Sequence, residues 1–281
     1  MNQMKNIFTL FFLLLLTNLV FAQVWRGKVL DHASGQALAY VNIGIVGKSI
    51  GTVSDEQGNF TLTFDAVKYS LDTLRFSMIG YSSSSFLVSD FVTLHINEIK
   101  LQPKVTIMQE LIISSVKDKV QTLGNEPKSK LMNVGFIYNN LGHEIGTRFT
   151  KPAEPFLLES IKLNFAKCEY EKVFLRLNVY QVTDVNHETP LLKKPVYLAL
   201  DQEAMLRQPA VDVSDHHIVI DSDFIVSVEI VKDLGEKGLY FYASIGDKVI
   251  PTVYRVTSQS HWGYVTKKTK AVGISIQVNG R

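Results

Sequence analysis

Asn59-Phe60-Thr61-Leu62-Thr63-Phe64 alternates polar and apolar side chains with a period of two. A strand points successive side chains to opposite faces, so Phe60, Leu62 and Phe64 share a core face and the other three face water. Asp55-Glu56-Gln57-Gly58 precedes the run as a turn. Asp55 can bond the backbone across that turn, Gly58 can take a positive φ, and Phe60 then re-enters the core. The stretch reads as the second half of a hairpin.

Its neighbours read the same way. Trp25–Leu30, Tyr40–Val46, Ile50–Ser54, Thr73–Met78, Ser84–Val88 and Ile96–Leu101 are short β-type runs parted by turn signals at 31–35, 46–48 and Gly80. A spacing of roughly ten residues is that of a small sandwich. Further on, Phe156–Leu163, Phe174–Val182, Val196–Leu200, His217–Ile220, Phe224–Ile230, Leu239–Ser244, Val253–Thr257 and Val272–Val278 are the expected strands. Leu175, Leu177 and Val179 alternate with Arg176, Asn178 and Tyr180, which predicts an apolar face on a core and a polar face outward. The expected class is all-β, with a small N-terminal sandwich over 23–115 and a jelly-roll-like one over 131–281. Lys, Asn, Gly and Pro without an apolar period mark 116–130 as a linker.

Several segments together carry a resemblance. They are Gly27-Lys28-Val29-Leu30-Asp31, Ala37-Leu38-Ala39-Tyr40-Val41-Asn42-Ile43 and Gly51-Thr52-Val53-Ser54-Asp55-Glu56-Gln57-Gly58-Asn59-Phe60. Leu74-Arg75-Phe76-Ser77-Met78-Ile79-Gly80-Tyr81, Leu101-Gln102-Pro103 and Gln109-Glu110-Leu111-Ile112-Ile113 complete the order. This part of the chain resembles the carboxypeptidase regulatory-like domain, a transthyretin-like sandwich found at the N-terminus of many TonB-dependent receptors of the bacterial outer membrane. The resemblance implies a non-catalytic appendage with an envelope protein as partner; a glycan is the alternative that the aromatics below suggest. It does not imply transport, since the remaining residues are too few for a barrel of about 22 strands.

The first 22 residues are read as a secretory signal peptide. Lys5 supplies the positive start, Ile7–Leu16 the apolar run, and Val20-Phe21-Ala22 the small residues at the −3 and −1 positions before a cut at Gln23. Export to the periplasm or outer membrane follows, with no transmembrane span in the mature chain. The whole sequence has 29 basic and 27 acidic residues, and the leader holds only Lys5 of these. Such a near-neutral chain has no field for nucleic acid. Cys168 is the single cysteine, so no internal disulfide forms and a packed thiol is expected.

No catalytic centre is legible. His95-Ile96-Asn97-Glu98 has a zinc-peptidase spacing, but residues three apart on a strand face opposite ways, and a third ligand is missing. His143-Glu144 lacks the second histidine of a zinc helix, since position 147 is Thr. Asp212, Asp215, His216, His217, Asp221 and Asp223 are read as turns flanking a strand, and Asp55 with Glu56 falls short of a calcium loop. No cofactor and no metal are expected. The aromatics offer the one candidate ligand site. Tyr240 and Tyr242 share one strand face, Trp262 and Tyr264 share parity, and Arg255 or Gln259 can reach sugar hydroxyls beside them. That quartet predicts stacking on a neutral polymeric sugar, against the alternative that the rings are core.

Overall fold

The computed structural model describes residues 23–104, 120–126, 132–137, 140–184 and 187–281. The leader, the trailing Gln109–Ile113 segment, and 116–119 and 127–130 of the expected linker lie outside the described residues.

The chain is all-β. Its first unit runs β1 (Gln23–Asp31), β2 (Asn42–Ile45), β3 (Gly51–Val53), β4 (Asn59–Phe64), β5 (Thr73–Ser77), β6 (Ser84–Leu87), helix α1 (Val88–Thr93) and β7 (Glu98–Leu101). Two sheets form, ordered β4-β1-β7 and β3-β2-β5-β6. Among the described strands only β1 and β7 pair in parallel. Phe60, Leu62 and Phe64 are buried and Asn59, Thr61 and Thr63 exposed, as the period of two requires. Between the sheets they meet Val29, Ile43, Leu74, Phe76 and Ile99. Helix α1 was not foreseen from the strand-like Ser84–Val88 run. It is held by Val88 and Phe91, three apart on one helix face and both buried in the same core.

The turn before β4 has the expected chemistry. Asp55 Oδ1 accepts from the backbone N–H of Gln57 and Asn59 at 2.9 and 2.8 Å. Gly58 sits at φ 77°. A Cβ there would lie 2.6 Å from the Val29 carbonyl oxygen, so space and backbone conformation both demand glycine.

The second unit opens with β8 (Gln121–Gly124), β9 (Asn133–Phe136), β10 (Glu144–Phe149), β11 (Phe156–Leu163), β12 (Phe165–Cys168), β13 (Lys172–Asp184) and β14 (His187–Pro190). It continues with β15 (Val196–Asp201), helix α2 (Gln202–Leu206), β16 (Ala210–Asp212), β17 (Ile218–Ile220), β18 (Phe224–Ile230) and β19 (Leu239–Ile245). The last strands are β20 (Thr252–Arg255), β21 (Gly263–Tyr264), β22 (Thr266–Lys267), β23 (Lys270–Ile274) and β24 (Ile276–Gly280). A seven-stranded sheet, β14-β13-β18-β10-β20-β21 with β15 also on β13, faces two five-stranded ones. Those are β16-β11-β24-β8 with β17 on β11, and β12-β19-β23-β22 with β9 on β19. Leu175, Leu177, Val179, Val226 and Val228 fill the core from one side, and Leu158, Ile161, Phe165, Phe241 and Val278 from the other. Cys168 is buried there, its thiol donating to the Tyr170 carbonyl, and burial pushes the thiol up from its ordinary value.

Two expectations change. Gln121–Gly124, assigned by composition to the linker, is the edge strand β8, paired with β24. Its anchors are polar: Thr122 Oγ1 donates to Asn279 Oδ1 at 2.7 Å, and the Asn125 amide donates to the carbonyls of Ile250 and Ile274. An edge held by side-chain amides leaves no apolar period to read. The Val272–Val278 run is two strands, β23 and β24, parted at Ser275. That residue turns aside to accept from the Asn164 amide and to donate to the Asn125 carbonyl.

Candidate functional site

The polar face of β13 does not meet water. Arg176, Asn178 and Tyr180 are all buried, because the first sandwich lies across this side of the seven-stranded sheet. Tyr40 of the first unit packs on Phe174 and Tyr197 of the second, with ring centroids 5.0 and 5.2 Å apart. Val53 and Val231 complete this small apolar seam. The Gly47 N–H donates to the Gln259 carbonyl and the Gln259 amide to Ser77 Oγ, at 2.8 and 2.9 Å. Such close approach needs small residues, and Gly51 supplies one: a Cβ there would lie 2.9 Å from Thr257 Cβ.

Under the seam lies a buried charge network. Arg176, 2% exposed, donates from Nε and Nη2 to Glu229 Oε2 at 3.0 and 2.7 Å. The same guanidinium donates from Nη1 to the Tyr40 carbonyl at 2.7 Å and from Nη2 to Asn42 Oδ1, both in the first sandwich. Glu229 faces Glu144 directly across the β10–β18 register. Two like charges side by side would repel, and the Asn178 amide lies between them, donating to both at 2.8 and 2.9 Å. Glu144 also accepts from Ser227 Oγ and from Arg255 Nε.

Arg255 continues the chain outward. Its Nη1 donates to Glu188 at 2.7 Å and its Nη2 to the Tyr180 hydroxyl at 2.9 Å. Its guanidinium lies 4.4 Å from the Trp262 ring centroid, and Trp262 Nε1 donates to the same Glu188 oxygen at 3.1 Å. Burial raises the Glu229 carboxyl from its ordinary value, Arg176 opposes that shift, and the charge of Glu144 adds to it. Burial would depress Arg255, but Glu144 and its other neighbours hold it above its ordinary value. Burial also raises the Tyr180 phenol well above normal, so it stays protonated. Each guanidinium therefore has a carboxylate partner.

Above this floor the two sandwiches leave a cleft of about 610 Å³. From the second unit it is lined by Arg176, Asn178, Tyr180, Glu188, Arg255, Trp262 and the 258–261 loop. From the first come Asn42, Gly47, Arg75, Ser77 and the 78–83 loop, with Lys104 at the edge.

The residues singled out in the sequence fall in three places. Trp262 and Arg255 come together in the cleft. Tyr264 is exposed on β21, its hydroxyl accepting from Arg148 Nη1 at 3.2 Å. Tyr240 and Tyr242 lie on β19, in a different sheet, with the Lys167 ammonium 5.8 Å from the Tyr240 ring centroid. No single face therefore carries all four rings. Arg255 is buried with its donors on Glu144, Glu188 and Tyr180, which corrects the picture of a side chain free to reach hydroxyls.

The other candidates are structural. His216, buried beside a turn of 3-10 helix (Ser214–His216), accepts the Lys193 N–H on Nδ1, and burial lowers its pKa. Asp212 accepts from the Ser214 N–H, and Asp223 accepts from the Lys151 N–H and pairs with Arg148. Among the described residues no group of three or more His, Cys, Asp or Glu is placed to hold a metal. The sequence reading missed Asn178, Ser227, Glu229 and Glu188 as site residues, and weighed Glu144 only beside His143 as part of a zinc motif. The signal for Asn178, Ser227 and Glu229 was the alternation in Phe174–Val182 and Phe224–Ile230; Glu144 and Glu188 lie outside those runs.

Residues 25–113 match the family model of the CarboxypepD_reg-like domain. The first sandwich is thus a carboxypeptidase regulatory-like domain, of a family that is not itself catalytic. No curated protein matches the chain.

Proposed function

We propose that this protein is a non-catalytic interaction protein of the bacterial envelope, in which the regulatory-like sandwich and the second sandwich present a shared recognition surface. The observation that carries the reading is the position of Arg176. It ties Glu229 of one unit to the Tyr40 carbonyl and Asn42 of the other, so the charged groups of the cleft floor serve cohesion. A catalytic acid or base needs reach to a substrate proton. Glu144 and Glu229 are instead wholly buried, each with a guanidinium and the Asn178 amide upon it.

Export is part of the proposal, and it rests on the leader pattern at 1–22. Mass spectrometry of the protein from its native envelope fraction is expected to show a chain beginning at Gln23 or its cyclised form. A chain retaining Met1 in the membrane fraction would contradict it.

The second reading, carbohydrate binding, is favoured by Trp262, a half-buried ring in a cleft rimmed by amides and hydroxyls. Both readings share one test. Envelope proteins and polysaccharides incubated with the mature chain should be retained with their mass unchanged. Shorter products would overturn the non-catalytic reading.

A further inference from the structure

We propose that the cleft between the sandwiches is a binding site for a carboxylate-bearing saccharide, such as a uronic acid oligomer. This deepens the carbohydrate reading above and rests on it. At about 610 Å³ the cleft falls within the range of about 300–1,000 Å³ usual for small-ligand sites.

Charge selects the acid. Arg75 projects from β5 on the side opposite the buried Leu74 and Phe76, and Lys104 follows β7; both are exposed and both line the cleft. Among the described residues neither stands in an ion pair. Among the described residues the one carboxylate lining the cleft is Glu188, and Arg255 and Trp262 already occupy it. A cleft with low-dielectric walls and an excess of positive charge draws an anion.

The remaining lining selects a sugar over an acidic peptide. Ser77, Thr189 and Gln259 carry groups that both donate and accept, as sugar hydroxyls require. Ser258 belongs to the same lining, its Oγ buried beneath it. Trp262 supplies an apolar ring face. A peptide adding a strand to the edge at β14 would meet Pro190, which has no N–H to offer.

Isothermal titration of the mature chain (23–281) tests the assignment. The probes are trigalacturonate, a glucuronate-containing oligosaccharide and a sialylated trisaccharide, each beside its methyl ester, and hexaglutamate. At least one acid should bind with Kd of about 10–1000 μM, the range of about −4 to −7 kcal/mol. Its methyl ester should bind at least tenfold more weakly, and added salt should weaken the acid but not the ester. Arg75→Gln with Lys104→Gln should cost tenfold or more with the melting temperature unchanged, and Trp262→Leu should cost as much for acid and ester alike. Equal binding of acid and ester would overturn the charge assignment and leave the carbohydrate reading intact. No binding by any saccharide to a chain with a normal melting curve would overturn both. Hexaglutamate binding as tightly as the best sugar acid would make the cleft an acidic-peptide site and sink the proposal.

Discussion

Arg176 of the second sandwich donates an Nη1 hydrogen to the carbonyl oxygen of Tyr40 in the first, across 136 residues of sequence and 2.7 Å of space. The carbonyl belongs to a residue at φ 62°, a left-handed conformation that a bulky residue seldom takes. The Tyr40 ring is at the same time packed on Phe174 and Tyr197. Ring and carbonyl of one residue thus engage neighbouring positions of β13, and the guanidinium fixes the two units in one orientation.

Breaking that contact should be costly. Arg176→Met leaves Glu229 buried without its cation, and removing one partner of a buried pair costs about 3–5 kcal/mol. Urea denaturation should show a loss of that size, and Arg176→Lys should recover only part of it, because an ammonium cannot bridge Glu229, Tyr40 and Asn42 as the planar fork does. A loss below about 1 kcal/mol would mean the pair does not hold the interface.

The turn before β4 permits a sharper test within one unit. Gly58→Val combines φ 77° with a contact of 2.6 Å to the Val29 carbonyl. Strain from a β-branched residue at such a site is of order 1–3 kcal/mol, and the clash adds to it. The variant's urea midpoint should fall accordingly. An unchanged midpoint would show that the turn is not built this way.

The seam also responds to acid. Glu56 accepts from Lys232 Nζ of the second unit at 2.7 Å and from the Tyr40 hydroxyl at 3.1 Å. Those hydrogen bonds, Lys232 first, hold its carboxyl below the ordinary value. A depressed carboxyl stabilises the fold fully above its unfolded pKa of about 4.3, and the contribution is lost as pH falls through the folded value. Thermal melts from pH 7 to pH 3 should therefore show Glu56→Gln less stable than the parent at pH 7, with the gap closing in acid. A gap independent of pH would remove Glu56 from the seam's electrostatics.

The hairpins of the first sandwich were legible where a strand buries one face and wets the other, as Asn59–Phe64 and Thr73–Ser77 do. The second sandwich broke that rule where it mattered. Arg176, Asn178 and Tyr180 look like a solvated face in sequence, since nothing local records that another domain will cover them. Glu144–Phe149 went unread for the same reason: its residues include Glu, Gly and Thr, yet five of the six are buried, and both of its faces are covered. Trp262 and Arg255 were singled out for their chemistry, but their grouping with Tyr240 and Tyr242 relied on strand parity, which cannot tell one sheet from another. Arg75 and Lys104 entered the cleft only through the docking of the two units. A site shared between domains is not written in the periodicity of either one.

The central claim, that the two sandwiches are cohesive through Arg176 and not merely tethered, is tested most directly by differential scanning calorimetry of the mature chain. A single transition with equal calorimetric and van't Hoff enthalpies is expected, dividing into two in Arg176→Met. Two separate transitions in the unaltered protein, unmoved by Arg176→Met, would contradict it.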